Sequence, residues 1–121
     1  LGRLETELTY ETRELVLQQG EGPRSILTCR LLSKNRTKKF FCRTHKSGSG
    51  YTFYQSTQVI GRQEGINPLT PPHVKVLTFQ VQPVDDQSVQ MILELELIPT
   101  VRKRRTVRFI KLTNGVLHVQ K

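Results

Sequence analysis

The sequence predicts a single all-β domain, built as a small antiparallel barrel or sandwich of about seven or eight strands. Apolar and polar side chains alternate through most of the chain, which is the period of a strand with one buried face. The alternating segments are short, rich in Val, Thr, Leu and aromatic residues, and separated by Gly, Pro, Asn or Asp. A length of 121 residues suits one hydrophobic core, so residues 1–121 are predicted to form one domain. OB-like and PH-like barrels both fit this pattern.

The first segment, residues 3–18, has features of both a helix and a strand. Its leucines fall near helical spacing, whereas Leu8, Tyr10 and Thr12 alternate with polar residues. Threonine and tyrosine are poor helix formers, so the composition favours a strand. A single N-terminal helix is the alternative.

Seven further segments have the alternation of strands. They are residues 25–34, 38–46, 51–61, 74–84, 88–98, 106–112 and 116–120. Residues 61–73 contain two glycines and three prolines and are predicted to be a long crossover loop.

The first predicted hairpin turns at Asn35–Arg36. This turn pairs Cys29 with Cys42, and Leu31 with Phe40, on one apolar face. The two cysteines would then be neighbours across the hairpin. We expect them to remain reduced, because buried thiols are the common state inside cells.

The second predicted hairpin turns at residues 85–87. It aligns Leu77, Phe79 and Val81 with Leu95, Leu93 and Met91 on the inner face. Glu94 and Glu96 alternate with these leucines, so we expect them to be exposed on the outer face.

Two more hairpins are predicted towards the C-terminus. A turn near Arg102–Lys103 places four consecutive cations at a projecting hairpin tip. We call these residues, Arg102, Lys103, Arg104 and Arg105, the basic tetrad. The sequence Asn114–Gly115 is typical of a type I′ turn, in which both central residues have positive φ. That turn would pair Thr113 with Val116 and continue the antiparallel sheet.

Charge is sorted along the chain. Nineteen Lys and Arg against ten Asp and Glu give a net charge of +9. Residues 22–63 contain nine basic residues and no acid, and residues 97–121 contain seven basic residues and no acid. Blocks of one sign indicate a surface that meets a partner of the opposite sign, although a solvated basic face is the simpler interpretation.

Two groups of residues form the predicted anion-binding site. The first lies on the outer face of the first hairpin and consists of Arg30, Lys39, Phe41 and Arg43. The second is the basic tetrad, Arg102, Lys103, Arg104 and Arg105. Cations beside exposed rings suit single-stranded nucleic acid, because phosphates bind the cations and bases stack on the rings. The alternative partner is an acidic or phosphorylated protein segment, or anionic lipid headgroups, on the same surface.

Other functional classes find little support in the sequence. His45 alternates with Cys42 onto the opposite face, so no metal site is predicted, and no histidine lies in a catalytic motif. We therefore expect neither an enzyme nor a cofactor. The longest apolar stretch, residues 91–98, is interrupted by two glutamates, so no membrane span is predicted. The polybasic run suggests an intracellular and nuclear location, and a chain starting at Leu1 suggests a segment of a longer protein.

Overall fold

The computed structural model describes residues 7–20, 25–31, 36–59, 61–98, 102–113 and 115–120. It contains a π-helical turn, Glu7–Glu11, followed by nine strands. These are β1 (Thr12–Gln18), β2 (Ile26–Leu31), β3 (Arg36–Thr44), β4 (Tyr51–Val59), β5 (Gly65–Pro68), β6 (Val74–Asp85), β7 (Ser88–Leu97), β8 (Arg102–Lys111) and β9 (Val116–Gln120). The predicted all-β class is confirmed.

The strands form one mixed sheet, not a barrel or sandwich of antiparallel strands. The order is β8-β7-β6-β4-β3-β2-β1-β9, with β5 pairing with β4 beside this path. The structure has more strands than predicted, because β5 lies within the predicted crossover loop. Its four residues include Gly65 and Pro68 and are exposed, so they show no alternation of burial.

Hydrogen bonds connect the two ends of the sheet, although its ladder does not close. The N–H of Leu117 in β9 donates to the carbonyl of Asp86, in the β6–β7 turn, at 3.0 Å. Just after β8, the N–H of Thr113 donates to the carbonyl of Thr9, in the π-helical turn, at 2.9 Å. These bonds join segments from opposite ends of the strand order, so the sheet curls and its inner face encloses the core.

The core is one cluster on the inner face of the curled sheet. Its buried members are Leu8, Leu15, Leu17, Leu27, Cys29, Phe40, Phe53, Val76, Phe79, Val81, Val89, Met91, Leu93, Ile110 and Leu112. Every strand but β5 and β9 contributes a residue, because alternation turns every second side chain inward.

The N-terminal segment and the last strand meet in a way that the sequence did not predict. In the described residues, residues 7–11 form a π-helical turn and β1 follows, so the favoured strand is correct for part of the segment. β9 pairs in parallel with β1, with Leu117 opposite Leu15. The predicted hairpin between residues 106–112 and 116–120 is therefore wrong.

Gly115 has a different role from the one predicted. A Cβ atom at this position would lie 2.6 Å from the carbonyl oxygen of Thr12 and 3.0 Å from that of Arg13. The glycine lets the chain approach the backbone of β1 closely. Asn114, the other residue of the predicted turn, lies outside the described residues.

The register of β2 and β3 also differs from the prediction. Leu27, not Leu31, lies opposite Phe40, and Cys29 lies opposite Lys38. The difference of four residues is even, so the predicted inward face is retained. The apolar pattern determines which face is buried but does not distinguish registers that differ by an even number. The predicted cysteine pairing is wrong, and the structure has no disulfide between Cys29 and Cys42.

The β6–β7 hairpin follows the predicted register near its turn. Phe79 lies opposite Leu93, and Val81 lies opposite Met91. A bulge between Val76 and Thr78 shifts the pairing beyond this point, so Val76, and not Leu77, lies opposite Leu95.

Glu94 and Glu96 lie on the outer face of β7, but they are half-buried and not exposed as expected. β7 is flanked by β6 and β8, so neighbouring side chains cover these acids on both sides. Glu94 lies opposite Arg105, and Glu96 lies opposite Lys103.

Candidate functional site

The outer face of β3 carries three of the predicted site residues. Phe40 is buried in the core, so alternation directs Lys39, Phe41 and Arg43 to the other side of the sheet. Lys39 and Arg43 are exposed, and Phe41 is half-buried. The sequence prediction placed these residues on one outer face, and the structure brings them together there.

A tyrosine of β4 completes this group. Tyr54 lies directly opposite Phe41 in the β3–β4 ladder, and the two rings stack with centroids 5.9 Å apart and planes inclined by 15°. The guanidinium carbon of Arg43 lies 5.2 Å from the Phe41 centroid and 5.5 Å from the Tyr54 centroid. Both distances are within the range of a cation–π contact.

We call Lys39, Phe41, Arg43 and Tyr54 the β3–β4 face. The two strands pair through nine consecutive residues, so the backbone beneath these side chains is rigid. The rings restrict the guanidinium of Arg43 without neutralising its charge. The result is a positive charge held beside a pair of aromatic rings.

Arg30 lies at the border of this face. Thr28, two residues before it in β2, pairs with Lys39, so Arg30 points to the same side of the sheet. Its Nη1 is 3.8 Å from Oε2 of Glu14, and Glu14 Oε1 is 3.6 Å from Nε2 of His118. Arg30 is 60% exposed, and an ion pair at such a site is weak, so Arg30 can still turn to an anionic ligand.

The basic tetrad does not lie at a hairpin tip. Arg102, Lys103, Arg104 and Arg105 are the first four residues of β8 and are exposed. The β7–β8 ladder pairs Leu97 with Arg102, so the predicted turn at Arg102–Lys103 is wrong. The first four residues of β8 are all charged, so that part of the strand has no apolar side chains to fix its register against β7.

The tetrad is also separate from the β3–β4 face. Three strands, β4, β6 and β7, lie between β3 and β8 in the sheet. This corresponds to roughly 19 Å along the sheet at the usual strand spacing. The eight predicted site residues therefore lie in two separate places, with Arg30, Lys39, Phe41 and Arg43 on β2 and β3 and the basic tetrad on β8.

Sequence reasoning did not include Tyr54 in the site, although a signal was present. Pairing the predicted strands 38–46 and 51–61 so that Cys42 and Phe53 share the inner face places Tyr54 opposite Phe41. The loop between them contains Gly48 and Gly50, both with positive φ, as a tight connection requires.

The histidine beside this face has a structural role. The Nε2–H of His45 donates to the carbonyl of Pro72 at 2.8 Å, and the N–H of Ser47 donates to its Nδ1 at 3.1 Å. These bonds connect the end of β3 to the loop before β6. Both ring nitrogens are used, so His45 is not available as a ligand or a base in this arrangement.

The thiol of Cys42, at the edge of the core, loses its proton less readily than an exposed thiol. Burial raises the pKa of the Cys42 thiol from 9.0 to about 12, because the thiolate would lose its hydration. Among the described residues, no group of three or more His, Cys, Asp or Glu is arranged to hold a metal ion. In the same part of the chain, no helix is long and apolar enough to cross a membrane.

Comparison of the chain with protein-family models, with curated proteins and with solved structures gave no match.

Proposed function

We propose that the protein is a non-catalytic module that binds single-stranded nucleic acid on the β3–β4 face. The observation that carries this proposal is the guanidinium of Arg43 held over the stacked rings of Phe41 and Tyr54. Single-stranded nucleic acid offers both the charge and the flat rings that such a surface binds.

The two kinds of side chain bind different parts of the ligand. Lys39, Arg43 and Arg30 supply cations for phosphates, and this contribution does not depend on base sequence. Phe41, Tyr54 and the plane of the Arg43 guanidinium supply stacking surfaces, which tolerate every base because every base has a π-face. We therefore expect binding to depend only weakly on the base sequence of the nucleic acid.

Single strands are favoured over duplexes because the site depends on stacking. Bases in a duplex are already stacked on their neighbours, so rings on the surface of a sheet cannot reach their faces without unpairing them. We place this binding inside the cell, where thiols such as Cys42 stay reduced.

The affinity for a labelled oligothymidine of about ten nucleotides tests the proposal. Phe41→Leu and Tyr54→Leu should each weaken binding by about 5- to 150-fold, the equivalent of about 1–3 kcal/mol for one stacked base. Tyr10→Leu is the matched control, because Tyr10 is 60% exposed in the π-helical turn. Equal losses for Tyr10→Leu and Tyr54→Leu would contradict stacking at this face.

The salt dependence of the same titration tests the cations. Arg43→Gln should reduce the slope of log affinity against log salt by about 0.7, because one phosphate contact is lost. Arg36→Gln is the control: Arg36 is exposed on β3, but alternation places it on the side of Phe40. A slope unchanged by Arg43→Gln, or changed equally by Arg36→Gln, would count against the proposal.

A further inference from the structure

β8 is a long strand at one end of the sheet. It pairs with β7 through ten residues, and in the part of the chain that the structure describes no strand pairs with its other edge. Every second residue of such a strand directs its backbone N–H and C=O groups away from the sheet. Just after the end of β8, the N–H of Thr113 donates to the carbonyl of Thr9, and the π-helical turn contacts the strand. The groups towards the start of β8, where the basic tetrad lies, can receive an additional strand.

The side chains of this edge are mostly cationic. β8 contains six basic residues and no acid: Arg102, Lys103, Arg104, Arg105, Arg108 and Lys111. The two faces of the strand differ. Lys103 and Arg105 lie opposite the acids Glu96 and Glu94 of β7, whereas Arg102 and Arg104 lie opposite Leu97 and Leu95. The charges of Arg102 and Arg104 thus have no acid across from them in the ladder.

We infer that the outer edge of β8 binds an extended acidic segment of another protein as an added strand. Backbone hydrogen bonds to the edge would supply affinity, and side chains at alternate positions would supply specificity. Acidic residues of the segment would lie beside Arg102 and Arg104. The intervening residues of the segment would lie on the other face of β8, beside Val107 and Phe109. Val107 is half-buried and Phe109 is 74% exposed, so apolar side chains of the segment suit that position.

Charge argues against a second copy of this chain as the occupant. Pairing two β8 strands would bring six cations against six cations, and like charges on adjacent strands destabilise a sheet. Charged edge residues are a common protection against such self-pairing. An acidic strand turns the same charges into an attraction, so the edge selects its partner by charge.

A peptide of about ten residues in which Glu alternates with Val tests this inference. A second peptide of the same sequence, with N-methyl groups on the amides that would face β8, keeps the charge but cannot pair. We expect the unmodified peptide to bind and the methylated peptide to bind at least about tenfold more weakly, because several backbone hydrogen bonds are lost. Alternate amides of β8 should gain protection from hydrogen exchange only with the unmodified peptide.

Two double variants test the role of the faces. Arg102→Gln with Arg104→Gln should weaken peptide binding more than Lys103→Gln with Arg105→Gln, because the second pair already faces acids. Equal binding of the two peptides would overturn the inference, since attraction would then be purely electrostatic. Dimerisation of the protein through β8 would also overturn it, as would loss of oligothymidine affinity in the first variant without any peptide binding. The β3–β4 face is untouched by these variants, so failure here leaves the proposed function to its own test.

Discussion

Phe53 joins the two parts of the sheet through its ring contacts. β4 and β6 share a single ladder pair, Tyr51 with Val76, so backbone bonding between these strands is sparse. The ring of Phe53 compensates by packing against Phe40 at 6.3 Å and against Phe79 at 4.9 Å between centroids. Side-chain packing thus continues the core across the point where the ladder nearly ends.

Replacing Phe53 with Ala should therefore be strongly destabilising. We expect a loss of about 3–5 kcal/mol in the free energy of unfolding, measured by urea denaturation, because a fully buried ring leaves a cavity. The control is Phe109→Ala, which removes a ring that is 74% exposed and should change stability by less than about 0.5 kcal/mol. A loss for Phe53→Ala as small as that of the control would show that the sheet does not depend on this contact.

Cys42 should make stability depend on alkaline pH. The unfolded thiol loses its proton near its ordinary pKa of 9.0, whereas the folded thiol keeps it until about pH 12. The folded state then binds more protons than the unfolded state, so the free energy of unfolding falls as pH rises through this window. Below pH 9.0 the thiol is protonated in both states and contributes no slope.

The comparison with Cys42→Ala isolates this contribution. The difference in unfolding free energy between the two proteins, measured across the alkaline range, should shrink or reverse in sign as pH rises. Other groups that titrate there are common to both proteins and cancel. A difference independent of pH would mean that the thiol of Cys42 is not protected by burial.

At the residue scale, the sequence predicted faces better than contacts. Alternation correctly directed Phe41, Lys39 and Arg43 outward and Phe40 inward, because each follows from a period of two. Predicting a contact such as that of Phe41 with Tyr54 requires knowledge of the register between two strands. No register between β3 and β4 was predicted, so Tyr54 was not identified as the partner of Phe41.

The parallel pairing of β1 and β9 depends on one glycine. A methyl group at Gly115 would meet the carbonyl oxygen of Thr12 at 2.6 Å, a distance at which the backbone must shift. Gly115→Ala should therefore lower the free energy of unfolding by about 1–3 kcal/mol, the usual cost of overpacking. Thermal unfolding followed by circular dichroism measures the change.

Gly65→Ala in β5 is the matched control. The nearest atom to a Cβ there is a carbonyl oxygen of Thr57, at 4.0 Å, which is an ordinary contact. We expect little change in stability from this substitution. Should both substitutions prove equally mild, the close approach of residue 115 to β1 would be disproved.

At the scale of elements, local patterns predicted most strands, but some of the predicted strand pairings were wrong. The β6–β7 hairpin was correct near its turn because the loop is short and both strands alternate strongly. Asn114–Gly115 is a strong local signal for a hairpin, yet the pairing of β9 with β1 joins distant parts of the chain. Such non-local pairing leaves no mark in a short stretch of sequence.

For the whole molecule, curling of the sheet separates the inside from a continuous outer surface. The core occupies the inner face, and the β3–β4 face lies on the outer one. The sorted charges of the sequence become two surfaces, the β3–β4 face and the β8 edge. Only the first combines cations with stacked rings, and for this reason the nucleic-acid proposal is assigned to it.

The distribution of charge was predictable at this scale, whereas the shape was not. The two acid-free blocks were visible in the sequence, and they correspond largely to β2–β4 and to β8–β9. Whether strands close into a barrel depends on pairing between the two edge strands of the sheet. Among the described strands, β9 pairs with β1 and not with β8, so β8 and β9 are the two edges.

Mapping an oligothymidine onto the protein by NMR tests the central claim most directly. Amide shifts of the isotope-labelled protein are followed during titration to saturation. Binding by the β3–β4 face predicts that the largest changes occur at residues 39–43 and 52–56, with the Phe41 and Tyr54 ring protons moving upfield as bases stack. Changes confined to residues 102–111, with the two rings unaffected at saturation, would contradict it.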